Sequence, residues 1–542
     1  MSHSDYETII GLEIHVELAT KTKIFCGCST SFGAPVNTHT CPVCLGMPGT
    51  IPVPNRQVVE DAIAIGLALG CEITRETRYD RKNYFYPDNP QNYQISQLYT
   101  PIGVNGRVLI SADEADRPTG AAAAEEDRST GGESERIVRI HEIHMEEDAG
   151  KLIHDESTGD TFVDYNRAGV PLIEIVTEPD MRSAEEVNEF ITKLRTMLLY
   201  LGVSDCRMNE GSLRADVNLS VRKRPTAGET AAGGTEAAGG ILPDATARPA
   251  DRAPQPPTGV PQTYAGDSAG AFGTRSEMKN LNSFKAITRA IEAERDRQIG
   301  ILEQGGSVIQ ETRRWDDEKG ESFSMRSKED AKDYRYFPDP DLPPIVIDET
   351  WIEQVRRALP EMPQEKAARY KKDYDLPDYD IGILTSEKRL ADIFEKTVEA
   401  GAAPKKASNW LMGETMRIVN DRGMEADDIT IDPQNLADLI RLTDNNTINS
   451  TTAKEIFEVI FDDKIDVENY VAEHGLAMVS DTSELERIIL TILETNPKSV
   501  ADYQAGKTKA IGFLVGQVMK ETKGKANPEL VRDLLEKALR EA

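Results

Sequence analysis

What this sequence lacks narrows the field first. It contains no run of about 18 or more apolar residues, so no membrane-spanning helix is expected. Residues 1–8 hold neither a basic stretch nor an apolar one, so no secretory signal is expected and the expected location is cytoplasmic. A Gly-rich phosphate loop is missing: Gly506-Lys507-Thr508 matches the end of one, but Ala501 stands where its first glycine belongs. A bound nucleotide would therefore sit on a sheet, held through metal and basic groups. There is no Gly-Gly-Ser-Ser amidase signature, and no cysteine outside one cluster has an evident histidine partner. Nucleophilic catalysis by the chain itself is not expected. Internal repeats are absent too.

Basic residues are the minority. Against 93 acids the chain carries 63 lysines and arginines, for a net charge of -30. Such an excess argues against binding a polyanion, because phosphates are held by local positive charge. The acids are spread along the chain, which suits a salt-rich cytosol. At 1 M salt the Debye length shrinks to about 3 Å and self-repulsion is screened. One segment reverses the sign. From Lys498 to Lys525 six lysines (498, 507, 509, 520, 523 and 525) stand against two acids, Asp502 and Glu521. They flank an apolar helix expected over 510–519, in turn-like positions around Gly506 and Gly524.

Of the six cysteines, Cys26, Cys28, Cys41 and Cys44 are clustered, while Cys71 and Cys206 stand alone. In an intracellular chain this spacing reads as a four-thiolate zinc site before it reads as disulfides. Four thiolates close the coordination shell, so the zinc would be structural. The carboxylates say more about chemistry. In Thr8 to Leu18 the residues Leu12, Ile14, Val16 and Leu18 share one strand face, and Glu13, His15 and Glu17 share the other. A second strand, from Ile137 to Glu146, slips in phase near His141, predicting a bulge, and runs into Met145-Glu146-Glu147-Asp148. Glu174 sits in the apolar run Pro171 to Val176, where an ionised carboxylate is costly without a cation. Glu210 precedes Arg214, Asp216 and Asn218. Several acids and a histidine on sheet faces suit Mg²⁺, which takes oxygen ligands and bridges phosphates. Arg167, Arg214, Lys279 and Asn280 are the candidates for holding a nucleotide.

At 542 residues the chain is too long for one core, and two or three domains are expected. Segments 113–135 and 225–272 are rich in Gly, Ala and Pro or in acids and poor in large apolar residues. They read as disordered insertions within one domain. Up to about 348 the pattern is strand-rich, with a helix from Ser183 to Leu201. Beyond Trp351 it turns helical: 386–400, 407–419, 433–442, 483–494, and 527–539 opened by Asn527-Pro528-Glu529.

The motifs Gly11-Leu-Glu-Ile-His-Val-Glu-Leu18, Asp80-Arg-Lys-Asn-Tyr-Phe-Tyr-Pro-Asp88, His144-Met-Glu-Glu-Asp-Ala-Gly-Lys151 and Glu210-Gly-Ser-Leu-Arg214 resemble the B-subunit family of aspartyl/glutamyl-tRNA(Asn/Gln) amidotransferases. So do Lys279-Asn-Leu-Asn-Ser-Phe284, Asn409-Trp-Leu-Met-Gly413 and Gly512-Phe-Leu-Val-Gly-Gln517. These motifs span nearly the whole chain. The resemblance implies an α+β fold: a mixed/antiparallel-sheet cradle domain related to glutamine synthetase (1–348), an all-α domain (349–473) and a small all-α tail (474–542). It implies ATP-dependent phosphorylation of the side-chain carboxylate of mischarged Asp-tRNA(Asn) or Glu-tRNA(Gln). Amidation follows, with ammonia from a partner, the amidase or A subunit; a small C subunit completes the heterotrimer. It places magnesium on Glu13, His15, Glu147 and Glu174, counts Glu210 among the catalytic residues, and puts zinc on Cys26, Cys28, Cys41 and Cys44. The tail would touch the body of tRNA, through Lys507, Lys509, Lys523 and Lys525 contacting phosphates or sugars. A non-catalytic tRNA-binding scaffold would not need the acids. The archaeal paralogue that pairs with an asparaginase-like partner carries an extra insertion, for which 351–472 leaves no room.

Overall fold

In the computed structural model the described residues are 5–111, 135–155, 157–224, 272–327, 334–424, 426–478, 482–522 and 526–541. The insertions expected at 113–135 and 225–272 lie almost wholly outside them. The chain divides into two compact units, 1–360 and 361–542.

The first unit is built on a long central strand, β1 (Tyr6–Glu17), followed by helix α1 (Arg56–Ala68). Short strands β2 (Glu72–Ile73), β3 (Glu76–Thr77), β4 (Asp80–Asn83) and β5 (Tyr93–Ser96) lead into β6 (Gly103–Ser111) and β7 (Glu135–Glu147). The hairpin β8 (Lys151–His154) and β9 (Thr161–Asp164) precedes β10 (Pro171–Thr177), helix α2 (Ala184–Leu201) and β11 (Leu213–Lys223). Then come β12 (Ser276–Lys279), α3 (Phe284–Glu303), β13 (Glu311–Asp316), β14 (Glu321–Ser327), β15 (Phe337–Pro338), β16 (Ile345–Val346) and α4 (Glu349–Ala358).

Nine strands form one mixed sheet in the order β14-β13-β12-β11-β1-β10-β7-β6-β2. Every pair is antiparallel except β12 with β13, which run parallel because α3 carries the chain back across the sheet. Ile10, Leu12, Ile14 and Val16 of β1 are fully buried, with Ile173 and Ile175 of β10, Ile143 and Met145 of β7, and Val217 and Leu219 of β11. Helices α1, α2 and α3 supply Ile63, Phe190, Leu194 and Ile287 to the same core. Burying each such side chain stabilises the fold by about 1.5–3 kcal/mol, so the apolar phase of every strand is committed to the helical side. Ser183 caps α2 by accepting from the Glu186 amide at 3.2 Å, and Gly202 ends it in a left-handed turn.

The bulge expected near His141 is present. β7 pairs Glu142 with Val176 and Ile140 with Thr177, leaving His141 as the extra residue. β15, β4 and β5 make a separate three-stranded sheet. The unit extends past 348 because α4 packs on α1, where the Trp351 indole donates to Glu60 at 3.1 Å and Arg56 lies 5.0 Å over its ring. β11 ends at Lys223 and its neighbour β12 begins at Ser276, with Leu219 opposite Ser276 and Arg222 5.7 Å from the Phe272 ring, so the chain returns beside the strand it left.

The second unit is helical, with two apolar cores. One gathers Tyr370, Phe394, Leu411, Leu439, Phe457 and Phe461. The other gathers Leu485, Ile489, Leu514, Val531 and Leu535. The helix expected over 407–419 is interrupted at Leu411–Thr415 by one π-helical turn, beside which Trp410 stacks on Phe457 at 5.1 Å. Among the described residues no helix is long and apolar enough to cross a membrane.

Two glycines bracket the packing tolerance. A Cβ at Gly106 would stand 2.5 Å from Cys71 Sγ and 2.9 Å from the Leu69 carbonyl, while one at Gly300 in α3 meets nothing within 4 Å. Gly106→Ala is expected to destabilise by about 1–3 kcal/mol, and Gly300→Ala to be neutral or to stabilise by up to about 1 kcal/mol. The midpoints of chemical unfolding of the two variants check this, and equal midpoints would contradict the packing.

Candidate functional site

The second phase of the strands carries the polar groups. On β1, Glu13 lies between Val176 of β10 and Asp216 of β11, and His15 lies between Glu174 and Arg214. On β7, His144 stands opposite Glu174 and Glu146 opposite Leu172. On β12, Glu277 stands opposite Asn218. Antiparallel register and a side-chain period of two therefore bring residues from five strands onto one sheet face.

Two groups stand out there. His15 Nε2 is 3.5 Å from Glu174 and 3.8 Å from Glu146, and the ligand atoms of these three residues all lie within 4.8 Å of one another. His144 Nε2 adds a contact to Glu174 at 3.1 Å. Glu146 Oε2 is buried with no hydrogen-bond partner in the structure. A buried carboxylate oxygen left so is costly unless a cation joins it, and a histidine with two carboxylates is a donor set for a divalent ion. Burial works against a charged Glu174, but His144 and His15 outweigh it and hold its pKa well below the usual carboxylate range. Burial likewise opposes charge on His15, and Glu174 and Glu146 overcome it and raise its pKa.

The second group is Glu13, Asp216 and Glu277, also within 4.8 Å. Lys279 sits in it, 2.5 Å from Asp216 and 2.7 Å from Glu277, and Asn218 donates to Glu13 at 3.0 Å. Burial first, then the charges of Glu174 and Glu277, raise the pKa of Glu13.

At the end of β7, Asp148 receives Arg214 at 2.7 Å and Arg167 at 3.4 Å. Arg167 also donates to the Ala149 and Gly150 carbonyls at 3.0 and 3.1 Å. Burial and the adjacent Asp148 push the Glu17 carboxyl up to about 8.

Of the residues the sequence pointed to, Glu13, His15, Glu174, Arg214 and Lys279 meet on this face. Glu147 does not. It points to the opposite side of β7 from Glu146, accepting from the Gln91 side chain and from the Ile95 amide at 2.9 Å. There it lines a cavity of about 230 Å³ shared with Lys23, Cys26, Cys44 and Gln91, and burial lifts its pKa to about 8. Glu146 occupies the position expected of Glu147. The alternation His144, Glu146 beyond the bulge carries that information, because only even-numbered residues there share the polar face. Glu210 lies in the loop before β11 and pairs with Arg207 at 2.9 Å. Asn280 holds a left-handed backbone turn, φ 68°, and donates to the Trp315 carbonyl at 3.0 Å. Lys507 pairs with Asp502 at 2.9 Å, and Lys509 is exposed just before the tail helix Ala510–Glu521. Lys523 and Lys525 lie outside the described residues. His144 and Glu277 were not anticipated as part of the site; both share the strand phase of residues that were.

The four clustered cysteines converge, with all four sulfurs within 4.8 Å of one another. Cys41 Sγ and Cys44 Sγ are 3.9 Å apart. Sulfurs at about 2.3 Å from a tetrahedral zinc stand nearly that far from each other. Cys44 accepts from the Cys41 amide at 3.1 Å and lies 3.7 Å from Lys23 Nζ. Its pKa falls to about 5, through hydrogen bonding from Cys26 first and then from Cys41 and the charge of Lys23, against burial.

Arg214 anchors Asp148, whose side chain is almost wholly buried. Arg214→Ala is expected to cost about 1–3 kcal/mol by removing the nearer of the two guanidinium groups at that carboxylate, leaving Arg167 at 3.4 Å, and Asp148→Asn in the same chain to recover part of it. Unfolding midpoints of the single and double variants test this; strict additivity of the two changes would contradict the pairing.

A model described as the GatB/GatE catalytic domain matches residues 8–236 and 263–353, and one described as a GatB domain matches 392–539. A protein of Agathobacter rectalis, named as the B subunit of aspartyl/glutamyl-tRNA(Asn/Gln) amidotransferase, is 55% identical over 531 residues, covering 98% of this chain and 99% of its own. Proteins of the same name from Lachnoclostridium phytofermentans and Lachnospira eligens are 53% and 52% identical, over 99% of this chain and 99% and 100% of theirs. A sheet face of metal-ready carboxylates, a converged thiol cluster and similarity along nearly the full length agree: the chain belongs to the GatB/GatE family of amidotransferase B subunits.

Proposed function

We propose that this chain is the component of an aminoacyl-tRNA amidotransferase that activates the side-chain carboxylate of mischarged Asp-tRNA(Asn) or Glu-tRNA(Gln) with ATP. The activated group is then amidated to give Asn-tRNA(Asn) or Gln-tRNA(Gln). The observation that carries this reading is the His15, Glu146 and Glu174 cluster, in which the buried Glu146 Oε2 accepts no hydrogen bond. A carboxylate is a poor electrophile for ammonia, and an acyl phosphate supplies the missing leaving group. Magnesium held at this cluster would neutralise phosphate charge. His15, Glu146 and Glu174 would position it, His144 orients Glu174 through the 3.1 Å contact, and Glu13 with Asp216 and Glu277 borders the same anion-binding floor. The sheet carrying these groups serves as a cradle of the glutamine synthetase kind.

The chain brings no amidase signature of its own, so ammonia comes from a partner amidase, with a small third protein completing a cytoplasmic heterotrimer. The helical domain and tail (349–473 and 474–542) serve tRNA, Lys507, Lys509, Lys523 and Lys525 contacting its backbone. Zinc at Cys26, Cys28, Cys41 and Cys44 is structural.

In the assembled enzyme, Glu146→Gln and Glu174→Gln are expected to lower tRNA-dependent ATP cleavage on the order of 10²–10³-fold, with the partner's glutaminase retained. Glu147→Gln keeps the metal set intact and leaves more ATP cleavage than either. Amidation by the Glu146 and Glu174 variants at the wild-type rate would sink the assignment. For zinc, one metal per chain is expected by elemental analysis, and Cys44→Ser is expected to lose it. A wild-type protein with all four thiols open to alkylation contradicts this.

A further inference from the structure

Between Lys23 and Arg56 the chain contains no Asp, Glu, Lys or Arg, although charged residues make up 29% of the sequence. Burial does not account for this, because only Ile24, Phe25 and Cys44 of that stretch are buried. It lies between β1 and α1 with no helix or strand of its own. Large apolar side chains stand outward instead: Phe32 is 73% exposed, Val36 55%, Met47 50%, Ile51 65% and Val53 67%. The two loops that carry them spring from the thiol cluster, one running from Cys28 to Cys41 and the other on from Cys44. Backbone contacts fix them further. The Asn37 amide donates to Asp164 at 3.0 Å and its side chain to the Val163 carbonyl at 2.9 Å, both on β9, and the Val53 amide donates to the Phe25 carbonyl at 3.1 Å.

A free surface on a chain of net charge -30 is kept soluble by its charges. Loss of charge together with exposed apolar side chains marks instead the core of an interface that a partner covers. The same absence selects the kind of partner. RNA is held at its phosphates by lysine and arginine, and this surface offers neither, so it suits a protein. A cavity selects which protein. Met47, Pro48 and Thr50 share a cavity of about 230 Å³ with Gln91 and Glu147. A Cβ at Gly46, φ 60°, would stand 2.7 Å from the Gln91 Cβ, so the loop is seated directly on that wall. Glu147 belongs to β7, the strand that carries Glu146. The uncharged surface is thus continuous with a strand of the carboxylate floor, and a partner whose product is consumed at that floor has to sit beside it.

Resting on the activity proposed above, we propose that the uncharged surface from Phe32 to Val53 is the docking site of the partner amidase. Apolar side chains seat the partner there, with Phe32 and Val36 on one loop and Met47, Ile51 and Val53 on the other. Because the surface carries no fixed charge, this contact keeps its strength as salt screens the rest of the molecule, whereas tRNA held by lysines weakens.

The test compares the full chain alone, with the amidase, with tRNA, and in the whole heterotrimer. Backbone amide exchange over residues 29–54 is expected to slow on the order of tenfold or more when the amidase binds, and to stay unchanged with tRNA. This measurement needs no variant. I51E and V53E are then set beside F323E, a charge placed at an exposed apolar side chain of β14. The first two are expected to weaken assembly with the amidase at least about tenfold each, and F323E to leave it unchanged. Amidation driven by ammonium chloride is expected to stay near wild type in all three, while glutamine-driven amidation by I51E and V53E falls and returns with excess amidase. Wild-type assembly by both I51E and V53E would overturn the proposal, as would exchange slowed by tRNA or by a second copy of the chain in place of the amidase. A wild-type heterotrimer that amidates with neither nitrogen source would sink the activity reading, while slowed exchange with the amidase would still uphold the docking site.

Discussion

β1 lies in the middle of the nine-stranded sheet, and its residues Ile10, Leu12, Ile14 and Val16 are wholly removed from water. A strand has only two faces, and slipping it by one residue would exchange them. At about 1.5–3 kcal/mol for each buried side chain, that exchange costs more than a typical domain's entire stability of about 5–15 kcal/mol once the neighbouring strands follow. The polar phase, Glu13, His15 and Glu17, thus has nowhere to go but the opposite face. β7, β10, β11 and β12 obey the same rule against the same helices, so the position of every acid on the floor is set by the burial of its apolar neighbours.

The result is electrostatically lopsided. Glu13, Asp216 and Glu277 crowd one end, relieved by Lys279, and Glu146 and Glu174 crowd the other, relieved by two histidines. The core stabilises a floor that would not hold together on its own charges. Apolar burial thus forces like charges together, and the magnesium proposed above would offset that repulsion.

Much of this is legible in the sequence. The alternation of β1, the helix opened by Ser183, the bulge at His141 and the convergence of the cysteines all follow from short-range rules, and each is local to a few residues. The choice between Glu146 and Glu147 is harder. The two are adjacent and equally acidic, and which of them faces the floor depends on the phase after the bulge and on where the Ile95 amide arrives from another strand. Register across β12, which brings Glu277 beside Asp216, is a long-range property that no spacing encodes. Asn280 and Glu210 were drawn in by their motifs, yet one holds a turn and the other answers Arg207. Motif membership marks a residue as important without separating the hand that touches the substrate from the wrist that supports it.

Residues 224–275 leave the sheet at the end of β11 and return at the start of its immediate neighbour β12. The described residues on either side of that segment come back together, with Arg222 5.7 Å from the centre of the Phe272 ring. The closure entropy of a loop grows only with the logarithm of its length, about 0.6 kcal/mol per doubling. Drift in the length of this segment is therefore almost without consequence to evolution, and the same doorway offers a place to splice in a reporter or an affinity handle without disturbing the register that aims the acids.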